Sequence, residues 1–454
     1  MVDKEALYSS LPLPLQQLAL NLEGLRIHRR RYGGGYLRCA EIVTRSQWLR
    51  GDELRSYQRE RLSKFLQSAP CSPFWRDRFA SFGVDITADD PFLEVAKLPV
   101  LRKTEAKLAT QDIQNPLFES QKLIRRHTSG TTGSGLVFSE LPETEHQTWA
   151  TWWRYRLWHG ITRERWCGYF GGRSVVPITQ ASPPFWRSNR FGRQLMFSAH
   201  HLSDRTAKDY LKALRDNNIE WLHGYPSLIA LVAQYELNLA LAPPIKVITV
   251  SAESLTDAQR SKITAAFPNA KLAQHYGQAE AVANISQCRH GSLHVDEDFS
   301  WVEFEPAPDI PNGYRIIGTN WTNPAFPLIR YDTGDIARLC SAACVCGSDW
   351  RIVEQIDGRI EDFIELPNGA KVSTLNQIFT ESLNVVEAQI NQVRRDEITI
   401  WIVKGEKYGS ADETRLMFEA RKRLGNEIRI GISYTHRLPR TAAGKLRLVV
   451  SSIT

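Results

Sequence analysis

The sequence predicts an α/β protein with a large N-terminal domain of mostly parallel sheets and flanking helices, followed by a small, mobile α+β C-terminal domain. Helix and strand signals alternate between residues 204 and 277, which is typical of a parallel sheet with helices on both faces. The 454 residues are enough for more than one domain. The composition changes near Gly358, and an apparent turn at Pro367-Asn368-Gly369 follows. We therefore expect an N-terminal domain at 1–357 and a C-terminal domain at 363–454, with the boundary between them at 358–362.

The individual elements follow from periodicity and capping signals. An amphipathic helix is predicted at residues 53–69, because apolar side chains recur toward one face. Thr256 and Gln259 have the spacing of a capping box and start a later helix. The elements predicted in the alternating region are a helix at 204–216, strands at 219–222 and 245–250, a helix from 256 to 267, and a strand at 271–275.

Two short motifs follow predicted strands of the parallel sheet. Ligands of such sheets bind in the loops after the carboxyl ends of the strands. The motifs at this edge are Ser251-Ala252-Glu253 and Tyr276-Gly277-Gln278-Ala279-Glu280. We therefore expect these loops to border a ligand site.

The charge balance excludes few functions but favours small anionic ligands. Lys and Arg number 57 against 50 Asp and Glu, a net charge of +7. Nucleotides account for this mild excess as well as nucleic acid does, and the chain has no nucleic-acid reader motif, so no nucleic-acid partner is expected. No apolar stretch approaches the ~18 residues of a membrane span, and the N-terminal charges have the wrong order for a signal peptide. The sequence therefore predicts a cytoplasmic protein without a transmembrane segment; a homodimer is left open.

The most informative loop is Thr128-Ser129-Gly130-Thr131-Thr132-Gly133. Hydroxyl side chains interleaved with glycines let hydroxyls and backbone N–H groups converge on an anion. The lysine of a P-loop is absent, so that motif is excluded. A phosphate-binding loop and a flexible surface loop remain the two interpretations of this segment taken alone.

Further segments follow this loop in a characteristic order: 276–280, Arg330-Tyr331-Asp332-Thr333-Gly334-Asp335, 358–362 and 439–445. Together they resemble the adenylate-forming superfamily of acyl-CoA synthetases, aryl-CoA ligases and peptide-synthetase adenylation domains. Over nearly the whole chain, the sequence looks most like the phenylacetate–CoA-ligase branch and its capsule-biosynthesis-like members. The resemblance implies an ATP-dependent reaction in which a carboxylate attacks the α-phosphate of ATP. The acyl-adenylate then reacts with a second nucleophile, usually the thiol of coenzyme A.

The resemblance also implies a role for each motif residue. Glu280 would ligate Mg²⁺, Asp335 would bind the ribose hydroxyls, and Lys445 would reach the α-phosphate. Arg359 would touch the ribose, and Asp362 would be the pivot of the hinge. The remaining nucleotide-binding residues would be Thr128, Ser129, Gly130, Thr131, Thr132 and Gly133 around the β- and γ-phosphates, with Thr131 among the catalytic residues, and Ser251, Ala252, Glu253, His275, Tyr276 and Gly277 around the adenine.

The chain departs from the family pattern at several positions. Ser134-Gly135 replaces the usual Lys-Pro after the glycine-rich loop, and Ala279 replaces a threonine. These changes motivate a rival interpretation, a non-catalytic nucleotide-binding protein, whereas the retained Glu280, Asp335 and Lys445 favour an enzyme. The acid is not identified, and the acceptor is coenzyme A, a carrier-protein thiol or a sugar amine in polysaccharide or secondary-metabolite biosynthesis.

Four residues suggest a structural zinc site. Cys344 and Cys346 form a C-x-C pair, and Cys288 with His294 completes a Cys₃His set of the kind that binds Zn²⁺. The phenylacetate–CoA-ligase branch carries a similar pattern. His290 or Cys340 could substitute for one ligand, and metal-free thiols are the alternative.

Aromatic side chains crowd one predicted helix, and their bulk favours core packing. The alternative is that a few of them line an acyl pocket. The aromatic residues of this predicted helix are Trp149, Trp152, Trp153, Tyr155 and Trp158.

Overall fold

The computed structural model of the protein describes residues 4–128, 135–171, 175–253, 255, 257–307, 312–357, 364–372, 375–379, 384–405, 407–436, 438–439 and 448–453. Within these ranges the strands form a twelve-stranded sheet, a four-stranded sheet and two two-stranded hairpins. Helices pack on the large sheet, so the α/β class predicted from the sequence is confirmed. No helix in the described part of the chain is both long and apolar enough to cross a membrane.

Helices dominate the first part of the chain. The α-helices of the described residues are α1 (Lys4–Ser10), α2 (Leu13–Tyr32), α3 (Tyr36–Ser46), α4 (Gly51–Ser68), α5 (Pro73–Phe82), α6 (Pro91–Ala96), α7 (Lys103–Leu108), α8 (Thr110–Ile113), α9 (Pro142–Trp158), α10 (Ala207–Asp216), α11 (Pro226–Leu239), α12 (Asp257–Ala266) and α13 (Ser410–Leu424).

Strands become frequent after α9. The strands of the described residues are β1 (Ile124–His127), β2 (Val137–Glu140), β3 (Cys167–Phe170), β4 (Trp186–Asn189), β5 (Gln194–Phe197), β6 (Trp221–Gly224), β7 (Val247–Ser251), β8 (Lys271–Gly277), β9 (Asn284–Gln287), β10 (Leu293–Val295), β11 (Trp301–Pro306), β12 (Tyr314–Thr319), β13 (Tyr331–Cys340), β14 (Ile352–Asp357), β15 (Ile364–Glu365), β16 (Lys371–Val372), β17 (Val385–Arg394), β18 (Glu397–Lys404), β19 (Arg429–Tyr434) and β20 (Val449–Ser451).

The large sheet is mixed, and β8 is the strand at which its direction changes. Its order is β11-β12-β13-β14-β10-β9-β8-β7-β6-β3-β5-β4. The strands from β5 to β8 in this order are parallel, as the alternation of helix and strand signals predicts. From β8 to β11 every pairing is antiparallel. Antiparallel neighbours need no crossover helix, which explains why this part of the sequence carries no helix signal.

Two predicted boundaries in the parallel half are displaced for local reasons. The helix expected from residue 204 begins at Ala207, because the Thr206 hydroxyl accepts a hydrogen bond from the Ser203 N–H, an alternative to the helical pattern. The strand expected from residue 219 begins at Trp221. Asn218 has a φ of 50°, and the Ile219 N–H bonds to the Leu214 carbonyl, so these residues close the preceding helix.

Separate apolar clusters hold these layers together. One face of the parallel strands packs on α10, α11 and α12 through residues such as Leu214, Ile229 and Ile263. On the opposite face, Ala150 and Trp153 of α9 pack with Cys167, Trp221 and Val247 of the strands. A further core lies entirely within residues 364–449 and covers the four-stranded sheet. The turn predicted at 367–369 joins β15 to β16, where the Gly369 N–H bonds to the Leu366 carbonyl.

Candidate active site

The predicted phosphate loop leaves and re-enters a two-stranded hairpin. β1 and β2 pair up to His127 and Val137, and Thr128 closes the base of the loop. The Thr128 N–H donates to the Leu136 carbonyl at 2.9 Å, and the Leu136 N–H donates to Thr128 Oγ1 at 2.9 Å. A Cβ on Gly135 would lie 1.8 Å from the Thr128 carbonyl oxygen, so the close approach of the two ends requires glycine. The predicted residues Ser129, Gly130, Thr131, Thr132 and Gly133 lie outside the described residues.

Asp335 is fixed by side chains from the end of β8. The Tyr276 hydroxyl donates to Asp335 Oδ2 at 2.8 Å, and Gln278 Nε2 donates to the same oxygen at 3.0 Å. Asp335 is 8% exposed, and its N–H donates to Thr333 Oγ1 at 3.1 Å. The structure therefore brings together Tyr276 and Asp335, two residues that the sequence assigned to one nucleotide site.

Glu280 lies in a second polar contact beside the first. It is 6% exposed; the Tyr331 hydroxyl donates to its Oε1 at 3.2 Å, and Lys103 Nζ lies 3.5 Å from the same oxygen. Tyr331 and Asp335 both belong to β13. β13 therefore contains Asp335 itself and also Tyr331, the hydrogen-bond donor to Glu280.

The sequence analysis missed Lys103. It lies at the start of α7, and a parallel bridge between Leu101 and Tyr331 brings this helix to β13. The backbone of Leu101 bonds to Arg330 and Asp332, each at 2.9 Å. On the next turn of α7, burial and repulsion from Lys103 lower the pKa of Lys107 to about 8. Leu101 and Tyr331 are more than two hundred residues apart in the sequence, and no sequence motif indicates that they pair.

The other residues predicted around the adenine have mixed positions. Ser251 is the register partner of His275 at the ends of β7 and β8, and Ala252 follows with a φ of 72°. His275 and Tyr276 are consecutive in a strand, so their side chains face opposite sides of the sheet. The Tyr276 hydroxyl bonds to Asp335. The adenine-binding roles of Ser251, Ala252, Glu253, His275 and Gly277 stay predictions.

His275 belongs instead to a polar cluster under α9. Its Nε2 donates to Asn284 Oδ1 at 2.9 Å, and Trp152 Nε1 donates to the same oxygen at 3.0 Å. Burial, together with the charge of Arg156, lowers the pKa of His275 to about 3 and keeps the ring neutral. A Cβ on Gly277 would lie 2.8 Å from Asn284 Oδ1, so the packing here is tight.

The same cluster continues into a buried ion network. The Asn284 amide and Ser286 hydroxyl donate to Asp296 Oδ2, the latter at 2.7 Å. Asp296 Oδ1 lies 2.7 Å from Arg154 Nη2, and Arg154 Nη1 lies 2.5 Å from Asp298 Oδ2. The three charged side chains are at most 3% exposed. The two carboxylates raise the pKa of Arg154 above its ordinary value and outweigh the effect of burial.

The three remaining predicted residues, Arg359, Asp362 and Lys445, lie outside the described residues, as does the hinge at 358–362. Their roles stay predictions.

The four predicted zinc ligands do come together. Their ligand atoms all lie within 4.8 Å of one another, with Cys288 after β9, His294 on β10, and Cys344 and Cys346 in the loop before β14. Cys288 Sγ and Cys344 Sγ are 3.7 Å apart, and Cys346 Sγ is 3.4 Å from His294 Nε2. Cys340, which the sequence left as an alternative, is not in this group.

The histidine of this group is oriented by its other nitrogen. His294 Nδ1 lies 3.1 Å from the carbonyl oxygen of Trp350, to which it can only donate. Nε2 is then the lone-pair nitrogen and faces the three sulfurs. Metal-binding histidines are commonly held in this way.

The sequence is similar to CapK proteins in two comparisons. Residues 364–452 match the family model of the CapK C-terminal domain. Over 464 aligned residues, the chain is 27% identical to Protein CapK of Staphylococcus aureus, covering 98% of this chain and 99% of that protein.

Solved structures with the same fold are acyl-CoA ligases. The 2-hydroxyisobutyryl-CoA ligase in complex with 2-HIB-AMP and CoA, in the thioesterification state, has a TM-score of 0.57 and 18% identity and covers 90% of this chain and 91% of its own. The same ligase in the postadenylation state with R3-HIB-AMP has a TM-score of 0.53 and 16% identity and covers 89% and 91%. The chain is therefore similar to Protein CapK over nearly the whole length of both proteins and shares the fold of the 2-hydroxyisobutyryl-CoA ligase, in agreement with the resemblance noted from its sequence motifs.

Proposed function

We propose that this protein is an ATP-dependent, AMP-forming ligase that activates a carboxylic acid as an acyl-adenylate and transfers it to a thiol, with coenzyme A as the expected acceptor. It would then be an acid–thiol ligase of the phenylacetate–CoA-ligase type. The structurally similar 2-hydroxyisobutyryl-CoA ligase was solved with an acyl-adenylate and CoA. A carrier-protein thiol or a sugar amine is the alternative acceptor in a polysaccharide setting.

The observation that carries the proposal is that Glu280 and Asp335 both lie at one strand, β13. Tyr331 at the start of β13 holds Glu280, and Asp335 on the same strand is held by Tyr276. The Tyr276 and Gln278 side chains orient the Asp335 carboxylate through its Oδ2 atom. Asp335 would accept hydrogen bonds from the ribose hydroxyls in this arrangement.

An unpaired acceptor beside Asp335 supports a ligand with donors at this place. Gln278 Oε1 is buried and has no hydrogen-bond partner among the described residues. Buried polar atoms are paired in nearly all proteins, so an exception calls for an explanation. The hydroxyl and amino groups of a nucleotide would supply the missing donor.

Mg²⁺ fits the position of Glu280. Mg²⁺ prefers oxygen ligands and is held by one or two carboxylates together with substrate phosphates. Glu280 Oε1 accepts a hydrogen bond from the Tyr331 hydroxyl and faces Lys103, while Oε2 has no partner in the described parts of the chain. Glu280 would hold the ion, which when bound supplies positive charge to the phosphates of ATP.

In the first half-reaction a carboxylate oxygen of the acid forms a bond to the α-phosphorus, the bond to the bridging β-oxygen breaks, and pyrophosphate leaves. Such a reaction depends on positioning and on stabilising negative charge that develops on phosphoryl oxygens. Lys445 would stabilise that charge at the α-phosphate, and the 128–133 loop would hold the β- and γ-phosphates. In the second half-reaction the thiolate sulfur bonds to the acyl carbon, and AMP leaves with its phosphate oxygen.

The domain division remains part of the proposal. The CapK C-terminal family model starts at residue 364, directly after the proposed hinge and where the second apolar core begins. A C-terminal domain that rotates about 358–362 would bring Lys445 to the nucleotide for adenylation and remove it for thiol transfer.

Carboxylate-dependent ATP–pyrophosphate exchange across a panel of acids tests the proposal. At least one acid is expected to support exchange by the wild type, and Lys445→Ala is expected to abolish it, because the charge on the α-phosphate is then unneutralised. Transfer from preformed acyl-adenylate to the thiol should stay comparatively intact in Lys445→Ala. The matched control is Lys407→Ala, at an exposed lysine in the same C-terminal region, which should exchange like the wild type.

The outcomes separate enzyme from binding protein. ATP binding without exchange for any acid would favour the non-catalytic rival that Ser134, Gly135 and Ala279 motivate. An equal loss of both half-reactions in Lys445→Ala would contradict the rotation of the C-terminal domain.

We further propose that Cys288, His294, Cys344 and Cys346 bind a structural Zn²⁺. Tetrahedral zinc with bonds of about 2.3 Å to sulfur and 2.0 Å to nitrogen separates two sulfurs by about 3.8 Å and a sulfur from a nitrogen by about 3.5 Å. The observed separations of 3.7 Å and 3.4 Å match these values. The ion would tie the β9–β10 turn to the loop before β14.

Metal analysis of protein purified without chelator or nickel is expected to give about one zinc per chain. Cys346→Ser should lose the zinc and melt at a lower temperature, because the loop around residues 344–346 loses its cross-link. Cys340→Ser is the matched control, since this half-buried thiol lies outside the group, and its zinc content should stay unchanged. Less than roughly 0.3 zinc per wild-type chain would end the proposal of a tightly bound structural site.

A further inference from the structure

Two arginines on α9 are equally buried but differently paired. Arg154 has the two carboxylates of Asp296 and Asp298. Arg156, which is 7% exposed, has neither a hydrogen-bond acceptor nor a carboxylate within ion-pair distance of its guanidinium among the residues that the structure describes. A buried charge is strongly unfavourable unless it is paired. The cation of Arg156 therefore lacks its counter-ion.

Aromatic rings surround Arg156 without satisfying its donors. The guanidinium carbon lies 4.7 Å from the Trp153 ring, 5.4 Å from the Trp221 ring and 5.5 Å from the Trp149 ring. These contacts attract the positive charge. They accept no in-plane hydrogen bond, however, and guanidinium carries five N–H donors. The site thus offers an anion a fork of donors that no described side chain occupies.

Two histidines near the guanidinium are neutral. Burial, reinforced by the positive charge of Arg156, lowers the pKa of His223 and of His275 to about 3. His223 Nδ1 lies 2.8 Å from Thr249 Oγ1, which also accepts from Trp221 Nε1 at 2.8 Å. These side chains are therefore held in place, and Arg156 supplies the local positive charge.

The position of this cluster relates it to the proposed adenylation site. Trp221 and His223 of β6 and His275 of β8 lie on the face of the sheet that α9 covers, since residues two apart in a strand share a face. His275 immediately precedes Tyr276, which holds Asp335. Tyr276 and Asp335 lie on the opposite face, so the two groups of residues come closest at the carboxyl end of β8, the edge at which ligands of such sheets bind. An acid activated there, near Asp335 and Glu280, would have to pass over the end of β8 to reach Arg156 on the α9 face.

We propose that Arg156 binds a second carboxylate of the acid, so that the substrate is a dicarboxylic acid. This inference rests on the proposed adenylation: one carboxylate would be activated, and the other would pair with the guanidinium. Arg forms bidentate hydrogen bonds with carboxylates, and its planar fork loses little freedom on binding. A site built to bond a polar group rejects an analogue that lacks it, because the buried donors stay unpaired.

Matched pairs of acids test the assignment in the ATP–pyrophosphate exchange assay. The pairs are succinate with butyrate, glutarate with pentanoate, and phthalate with benzoate. For at least one pair, the wild type is expected to show a kcat/KM for the diacid about 100-fold above that for the monoacid. Arg156→Met should reduce this ratio to about one, and Arg156→Lys should give an intermediate ratio, because a point charge lacks the bidentate fork.

Stability measurements separate recognition from packing. Arg156→Met removes an unpaired buried charge but keeps an apolar stem among the tryptophans, so its melting temperature should equal or exceed that of the wild type. The matched control is Arg163→Met, since Arg163 also lies over aromatic rings, 3.9 Å from that of Tyr32. The control should keep the wild-type diacid preference.

The melting temperatures of the wild type and of Arg156→Met, measured with a diacid and without ATP, test the binding of the diacid separately from turnover. If monoacids support exchange and Arg156→Met leaves the diacid ratio unchanged, the inference is wrong and the adenylation proposal stands. If no acid supports exchange but a diacid stabilises the wild type and not Arg156→Met, Arg156 binds a carboxylate, but adenylation, and with it the assignment of the diacid as the substrate, is contradicted. If diacids neither exchange better than monoacids nor stabilise the wild type, Arg156 is a packing residue and the inference is wrong.

Discussion

Replacing Glu280 with glutamine is expected to lower the rate of carboxylate-dependent ATP–pyrophosphate exchange by about 10²–10³-fold, the usual effect of removing one group that stabilises developing charge. Glutamine keeps the size of the side chain and can still accept from the Tyr331 hydroxyl. It removes the negative charge that would hold Mg²⁺ and that faces Lys103 at 3.5 Å. The loss should therefore appear in the exchange rate at saturating ATP and should persist when the Mg²⁺ concentration is raised.

The controls for Glu280 address folding and specificity. Glu354→Gln changes an exposed glutamate on β14 and should exchange like the wild type. The melting temperature of Glu280→Gln should stay near that of the wild type, because glutamine keeps an acceptor for the Tyr331 hydroxyl and the contact with Lys103 is long, at 3.5 Å. Wild-type exchange by Glu280→Gln would show that this carboxylate does not take part in the reaction.

Replacing Arg154 with methionine is expected to reduce the free energy of unfolding by about 3–5 kcal/mol, the range for breaking a buried ion pair from one side. Asp296 and Asp298 are at most 2% exposed and would be left without their cation. Urea unfolding should show this as a lower midpoint. The exchange rate of the folded variant should also fall, because Asp296 orients Asn284, which holds His275 and Trp152.

Arg45→Met is the matched control for this prediction. Arg45 also pairs with a carboxylate, that of Glu41, but the two side chains are 79% and 61% exposed. Exposed pairs contribute roughly 0–1 kcal/mol, so the unfolding midpoint should hardly change. A loss below about 1 kcal/mol in Arg154→Met would mean that the network is hydrated or neutralised and does not depend on its arginine.

The parts of the fold that depend on local signals could be predicted from the sequence. The helix expected at 53–69 is α4 (Gly51–Ser68), and the strand expected at 271–275 is β8 with two more residues. The antiparallel pairing of β9 to β14 was not foreseen, because these short strands carry no repeated crossover pattern. Pairing of this kind is decided by which apolar faces meet in three dimensions.

The residues of the candidate site likewise divide into those that sequence motifs identify and those that only the folded structure reveals. Glu280, Asp335 and the four metal-ligand candidates were found from motifs, since each lies in a short segment of recognisable composition. Lys103 and the Arg154 network were missed, because their partners are distant in sequence and a single charged residue is typical of a solvated surface. Arg156 could not be identified either: its significance is the lack of a counter-ion, which only the folded arrangement reveals.

The direction change at β8 has a mechanical consequence. His275 of β8 pairs on both sides, opposite Ser251 on β7 and Ser286 on β9, and Gly277 pairs with Asn284 on the β9 side. Backbone amides flanked in this manner open rarely and exchange their hydrogens slowly. The end of β8, next to the proposed nucleotide site, is thus expected to be rigid. Evolution toward a different acid would then proceed by changing side chains along this strand while its backbone stays in place.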